Sequence, residues 1–140
     1  MVELGKPVIL LEVVTPTRLL VSEEVTEVVA PGSEGYFGVL PGHIPFLSTL
    51  SIGELTYWAG REERHLSVAW GYVEVRPGKV VVLAEAAERA SDIDVGRAEA
   101  ARGRAEERLR RWVDEGIDFT RAQGALQRAL TRLAVAAKGQ

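Results

Sequence analysis

Val80-Val-Val-Leu-Ala-Glu-Ala-Ala-Glu-Arg-Ala-Ser-Asp-Ile-Asp-Val-Gly-Arg-Ala98 changes character part-way along. Its first five residues are a β-branched and leucine run suited to a strand. Beyond Ile93, apolar positions fall at Ala98, Ala101, Ala105, Leu109 and Trp112, spaced by 3, 4, 4 and 3 residues, which is one face of a helix. Ser91-Asp92 offers a capping residue just ahead of Ile93. A strand-built unit therefore gives way to a helical one between Ala86 and Ser91, which divides the chain into residues 1–87 and 88–140.

Upstream of this junction, Val8–Val14 closes at Thr15-Pro16-Thr17 and Val25–Ala30 closes at Pro31-Gly32. Further strands are expected at Tyr36–Leu40, Glu54–Ala59, His65–Trp70, Tyr72–Arg76 and Val80–Ala84, punctuated by Gly53, Gly60, Gly71 and Pro77-Gly78-Lys79. Short strands at this spacing predict an antiparallel sandwich or barrel. Downstream, Asp114-Glu115-Gly116 ends the first helix and Asp118 caps a second, whose apolar face is Phe119, Ala122, Leu126, Ala129, Leu133 and Ala136. The short connection predicts an antiparallel hairpin. Its seam is mostly alanine, so each contact buries far less than the roughly 1.5–3 kcal/mol of a leucine, and Gly96, Gly103 and Gly124 each weaken helix propensity by about 1 kcal/mol. The hairpin is expected to be marginal and able to open.

The two units also differ in charge and composition. Residues 1–87 hold all 6 prolines, with 6 basic and 11 acidic side chains; the remainder holds no proline, with 11 basic and 9 acidic. Over the whole chain of 140 residues the net charge is −3, with 46% hydrophobic residues. No window reaches the roughly 18 apolar residues of a membrane-spanning helix, and no signal peptide is expected at the start. With no cysteine and only His43 and His65, disulfide, thiolate and histidine-rich metal chemistry are nearly excluded, and no metal site is expected.

Gly32-Ser-Glu-Gly-Tyr-Phe-Gly38 is glycine-rich, but no helix or lysine follows it as a phosphate loop requires, so it reads as a turn. His43 lies between Gly42 and Ile44-Pro45 without a recognisable serine and aspartate, and is expected to pack in a turn or at a surface contact. No paired-carboxylate or HExxH motif appears, which argues against a catalytic centre. Arg97 and Arg104 are seven residues apart on the first helix, and Arg128 and Arg132 four apart on the second. A closed hairpin would bring these four guanidiniums onto one anion, a polyphosphate suiting their planar bidentate donors. The alternative is a solvated charged face balanced by Glu99, Glu106 and Glu107. Nucleic acid is disfavoured by the acidic chain and the lack of aromatics among the arginines.

Gly32-Ser-Glu-Gly-Tyr-Phe-Gly-Val-Leu-Pro-Gly-His-Ile-Pro-Phe-Leu-Ser-Thr-Leu50, Gly53-Glu-Leu55, Gly71-Tyr-Val-Glu-Val75, Val80–Ala84 and the alanine- and arginine-rich tail closely resemble the epsilon subunits of F-type ATP synthases. The resemblance implies an α+β architecture, a ten-stranded β-sandwich followed by a helical hairpin. It implies a non-catalytic rotor subunit that joins the gamma subunit to the ring of c subunits, peripheral to the cytoplasmic face of a bacterial plasma membrane. The C-terminal helices would extend toward the catalytic α and β subunits and inhibit ATP hydrolysis.

Some members of that family bind ATP through an Ile/Leu-Asp-x-x-Arg-Ala motif with further arginines. The pattern carries over onto Ile93, Asp94, Arg97 and Ala98, with Glu88 before them and Arg104, Arg128 and Arg132 after them. ATP would thus be a regulatory ligand, with magnesium left open, and Gly96 loosens the motif's helical turn. Rotor contacts are implied for Gly32, Ser33, Glu34 and Gly35 toward the c ring and for Pro41, Gly42 and His43 near gamma. Arg108, Arg110, Arg111 and Arg121 would meet acidic segments of the catalytic head in the open state. A free-standing ATP-sensing module is the alternative function, and an enzyme in its own right is disfavoured.

Overall fold

The computed structural model describes residues 7–139 as eight strands and two helices. The strands are β1 (Ile9–Val14), β2 (Leu19–Val25), β3 (Glu27–Gly32), β4 (Gly35–Val39), β5 (Phe46–Leu50), β6 (Gly53–Ala59), β7 (Glu62–Arg76) and β8 (Lys79–Arg89). A single 3₁₀ turn, Ala90–Asp92, leads to α1 (Val95–Glu115) and α2 (Phe119–Ala136). Residues 1–6 and Gln140, the outer ends of the two expected units, lie outside the described residues, as do the side chains of Trp112, Asp114 and Glu115.

Among the described residues there are eight strands where ten are expected, and one bend explains part of the difference. Gly71, expected to separate two strands, instead lies inside β7: Trp70 takes φ 61° and Gly71 φ 128°, and the ladder to β8 skips from Ala69↔Ala86 to Gly71↔Ala84. A Cβ on Gly71 would come within 1.8 Å of the Leu83 carbonyl oxygen, so the backbones meet there as only glycine allows. The arm of β7 before the bend pairs with β6 and the arm after it with β5, so one long strand serves both layers.

A second departure is that the sandwich is mixed. β1 pairs antiparallel with β2 but parallel with β8, from Leu10↔Lys79 to Val14↔Leu83. Inside lie the alternating residues Ile9, Leu11 and Val13 of β1, Leu55 and Tyr57 of β6, and Val80 and Val82 of β8. His65–Ala69 of β7 is buried without alternation. Leu66 and Val68 belong to the sandwich core, and the opposite face of this arm is covered by α2, which packs on β6 and β7.

The change from strand to 3₁₀ turn falls after Arg89, within the Ala86–Ser91 stretch, because the β7 register continues to Leu66↔Arg89. Ser91 and Asp92, expected to cap the first helix, form the 3₁₀ turn, and the cap is Asp94, whose Oδ1 accepts the Arg97 amide at 3.1 Å. Gly116 ends α1 in the left-handed conformation, and Asp118 caps α2 through the Arg121 amide at 3.1 Å.

Candidate functional site

Alanine makes the seam between α1 and α2. Ala98 and Ala105 of α1 and Ala122 and Ala129 of α2 are buried, and side chains this small let two helices approach closely. Arginines flanking the seam then lean over one groove. Glu88 at the end of β8, Ala101, Arg104 and Arg108 of α1, and Ala125, Arg128, Ala129 and Arg132 of α2 line a cleft of about 350 Å³. It shares Arg108, Ala125 and Arg128 with a second cleft of about 480 Å³, bounded also by Ile117, Asp118, Arg121 and Ala122. Five arginines therefore face two carboxylates along one groove.

Within it Arg132 is fixed: its Nε donates to Glu88 Oε1 at 2.6 Å and its Nη2 to Glu88 Oε2 at 3.2 Å. Arg104, Arg108 and Arg128 form no ion pair with any described side chain. Clustered guanidiniums that outnumber the carboxylates beside them repel one another, and an anion with several oxygens relieves that repulsion while accepting planar paired hydrogen bonds. This donor set fits a polyphosphate.

Four of the expected ligand residues, Glu88, Arg104, Arg128 and Arg132, thus come together. The other four lie at the N-terminal end of α1 and do not line the cleft. Ile93 is buried with Ala90, Val135 and Ala136, Ala98 is buried in the helical seam, Asp94 is the helix cap, and Arg97 is exposed. Arg108, expected to meet the catalytic head in the open state, lines the cleft here; it stands four residues after Arg104, the helical spacing that signals a shared face. Arg121 borders the second cleft, while Arg110 and Arg111 pair with Glu107 on the exposed side of α1.

The segments expected to contact the rotor form separate surface features. Gly32 closes β3 with a Cβ position only 3.0 Å from the Gly35 oxygen and Phe37, and Ser33, Glu34 and Gly35 are exposed at the turn into β4. They line a groove of about 490 Å³ with Tyr36, Phe37 and Phe46–Thr49. Pro41-Gly42-His43 lies in the loop between β4 and β5, where His43 Nδ1 donates to the Ile44 oxygen at 2.7 Å and the ring sits 5.1 Å from Phe46.

Residues 8–90 match the family described as ATP synthase, Delta/Epsilon chain, beta-sandwich domain, and residues 91–137 match its long alpha-helix domain. The chain is 57% identical to the ATP synthase epsilon chain of Nitratidesulfovibrio vulgaris, over 89% of this chain and 92% of that one. It is 58% identical to the ATP synthase epsilon chain of Syntrophobacter fumaroxidans, over 91% and 95%. The chain belongs to the ATP synthase epsilon-chain family. Epsilon-chain architecture extends to distant structures: a chain of the Euglena gracilis mitochondrial ATP synthase, in its OSCP/F1/c-ring assembly, shares the fold with a TM-score of 0.74 at 21% identity, covering 99% of this chain and 88% of that one. The family boundary between residues 90 and 91 falls within the 3₁₀ turn that separates the sandwich from the helices.

Proposed function

We propose that this epsilon chain is a non-catalytic subunit of the central stalk of a proton-translocating F-type ATP synthase, placed between gamma and the c ring. In this reading its two helices form an antiparallel hairpin that inhibits ATP hydrolysis when extended toward the α and β subunits, and ATP favours the folded form. The observation that carries the regulatory part is the convergence of Glu88, Arg104, Arg128 and Arg132 on one cleft built from β8, α1 and α2. A ligand there touches three elements that separate if the helices swing away, so it binds only the closed form and shifts the population toward it. At one hundred times its dissociation constant such a ligand contributes about 2.7 kcal/mol. A bias of that size matters because the seam is alanine.

ATP would place its phosphates against Arg104, Arg128 and Arg132, and the cleft arginine Arg108 is a further donor for the same charge. Ile93, Asp94, Arg97 and Ala98 stand at the opposite end of α1 from the turn at Gly116, where Ile93 packs with Val135 and Ala136 of α2 and Asp94 caps α1. In the open state Arg108, Arg110, Arg111 and Arg121 would become available to acidic segments of the catalytic head. Glu34 and its neighbours toward the c ring, and His43 toward gamma, complete the rotor reading. An assembled synthase whose epsilon chain ends after Arg89 tests it: assembly should persist and ATP hydrolysis rise, and unchanged hydrolysis would remove the inhibitory role. Binding of ATP without any effect on the assembled enzyme would favour a free-standing sensor.

A further inference from the structure

Glu54 of β6, Ser67 of β7 and Glu88 of β8 are consecutive partners across three strands, so their side chains share the face on which α2 lies. Two inter-strand spacings put Glu54 roughly 9.5 Å from Glu88. Along α2, the six residues from Arg132 to Lys138 advance by about 9 Å. The match is realised in contacts: Arg132 meets Glu88, and Lys138 Nζ donates to Glu54 Oε1 at 2.6 Å. Lys138 lies two residues past the end of α2, yet its own amide donates to the Val135 oxygen at 3.0 Å, which keeps its backbone on the helix path.

The receiving carboxylate is also held by partners on the sandwich itself. His65, buried on β7, places Nδ1 at 2.7 Å from the same Glu54 oxygen and Nε2 at 2.9 Å from Glu63 Oε2, and Thr56 Oγ1 donates to Glu54 Oε1 at 3.2 Å. Glu63 is in turn held by the Trp58 indole N–H at 2.9 Å. A fixed carboxylate loses little freedom when a lysine docks on it, so more of the pair's attraction survives as binding. None of these residues borders the arginine cleft.

We propose that Glu54, aimed by His65, is a latch that captures the C-terminal end of α2 through Lys138 and sets how often the helical pair is closed in the absence of nucleotide. The proposal rests on the open and closed forms described above and adds to them a control that no ligand touches. Because a ligand's apparent affinity scales with the fraction of chain already closed, the latch also sets nucleotide sensitivity from outside the nucleotide cleft.

Hydrogen exchange of the intact chain without nucleotide tests this. In the wild type, amides of Ala129–Val135 should exchange faster than those of Val80–Val82 in the sandwich core. Lys138→Ala should speed the helix amides about two- to five-fold, the range of a single exposed or half-exposed ion pair, and leave the core amides unchanged; Lys138→Arg should restore them. Glu54→Gln should act like Lys138→Ala, and the double variant should be no faster than either single one. If the wild-type helices exchange only together with the core, no separate opening exists, and both the latch and the two-form reading fall. If they open separately but Lys138→Ala leaves their rates unchanged, or the two substitutions simply add, the latch alone falls.

Discussion

Arg132 grips Glu88 side-on, through Nε at 2.6 Å and Nη2 at 3.2 Å, and so ties α2 to the last strand of the sandwich at the mouth of the arginine cleft. Both side chains are partly shielded from solvent, at 24% and 36% exposure, which places this two-point pair toward the upper end of the range for accessible ion pairs. Arg132→Ala should therefore weaken docking of α2 by about 1 kcal/mol, roughly a five-fold change in the closed-to-open ratio. Hydrogen exchange of α2 amides measures it. Lysine at this position should recover the charge but not the two-point grip, and so restore only part of the effect.

Gly96 occupies the first turn of α1, where a Cβ would meet Asp94 Oδ1 at an ordinary 3.5 Å. Gly96→Ala should therefore stabilise the helix by about 0.4–1 kcal/mol through the lost freedom of the unfolded chain. Thermal unfolding of the helical part should shift upward, and the closed form should become more populated.

Gly71→Ala should have the opposite outcome. Its φ of 128° and the 1.8 Å approach to the Leu83 oxygen leave no room for a methyl group at the bend shared by both layers. A loss of roughly 3 kcal/mol or more is expected, seen as a lower denaturation midpoint of the sandwich.

Docking of α2 should also depend on pH through Glu54. Partial burial alone would raise its pKa, but hydrogen bonds and charge from Lys138 and His65 outweigh burial and hold it below the ordinary carboxylate value. A folded-state pKa that is depressed contributes stability above the unfolded value, and that contribution is lost as pH falls through the folded one. The ion pair with Lys138, facing His65 and Glu63 on β7, should thus loosen only on the acid side of the ordinary glutamate range. Glu54→Gln should remove this part of the acid sensitivity in a pH series of helix exchange rates.

The helical half was largely legible because its signals are local. Gly116, Asp118 and the alanine periodicity each sit within a turn or two of what they specify. The first cap was displaced to Asp94 because a 3₁₀ turn consumes Ala90–Asp92, and short polar residues satisfy either role. Strands β2 and β5 gave little signal: Leu19–Val25 carries Ser22, Glu23 and Glu24 and begins with an exposed leucine, and only Leu50 of Phe46–Leu50 is buried. The parallel pairing of β1 with β8 joins residues about seventy positions apart, which no local pattern encodes. In the site, spacing singled out Arg97, Arg104, Arg128 and Arg132; Arg97 does not line the cleft, and Arg108 does. The missing information was where along α1 the second helix and Glu88 close the groove, a property of tertiary packing.

On the function proposed above, ATP bound in the arginine cleft favours the closed helices. Calorimetric titration of ATP into the intact isolated chain, with Arg128→Ala and Arg132→Ala beside it, tests it most directly. A saturable one-site heat in the wild type that each substitution weakens at least about ten-fold, equivalent to about 1.4 kcal/mol, is the predicted result. No saturable heat in the wild type, or equal binding by both variants, would contradict it.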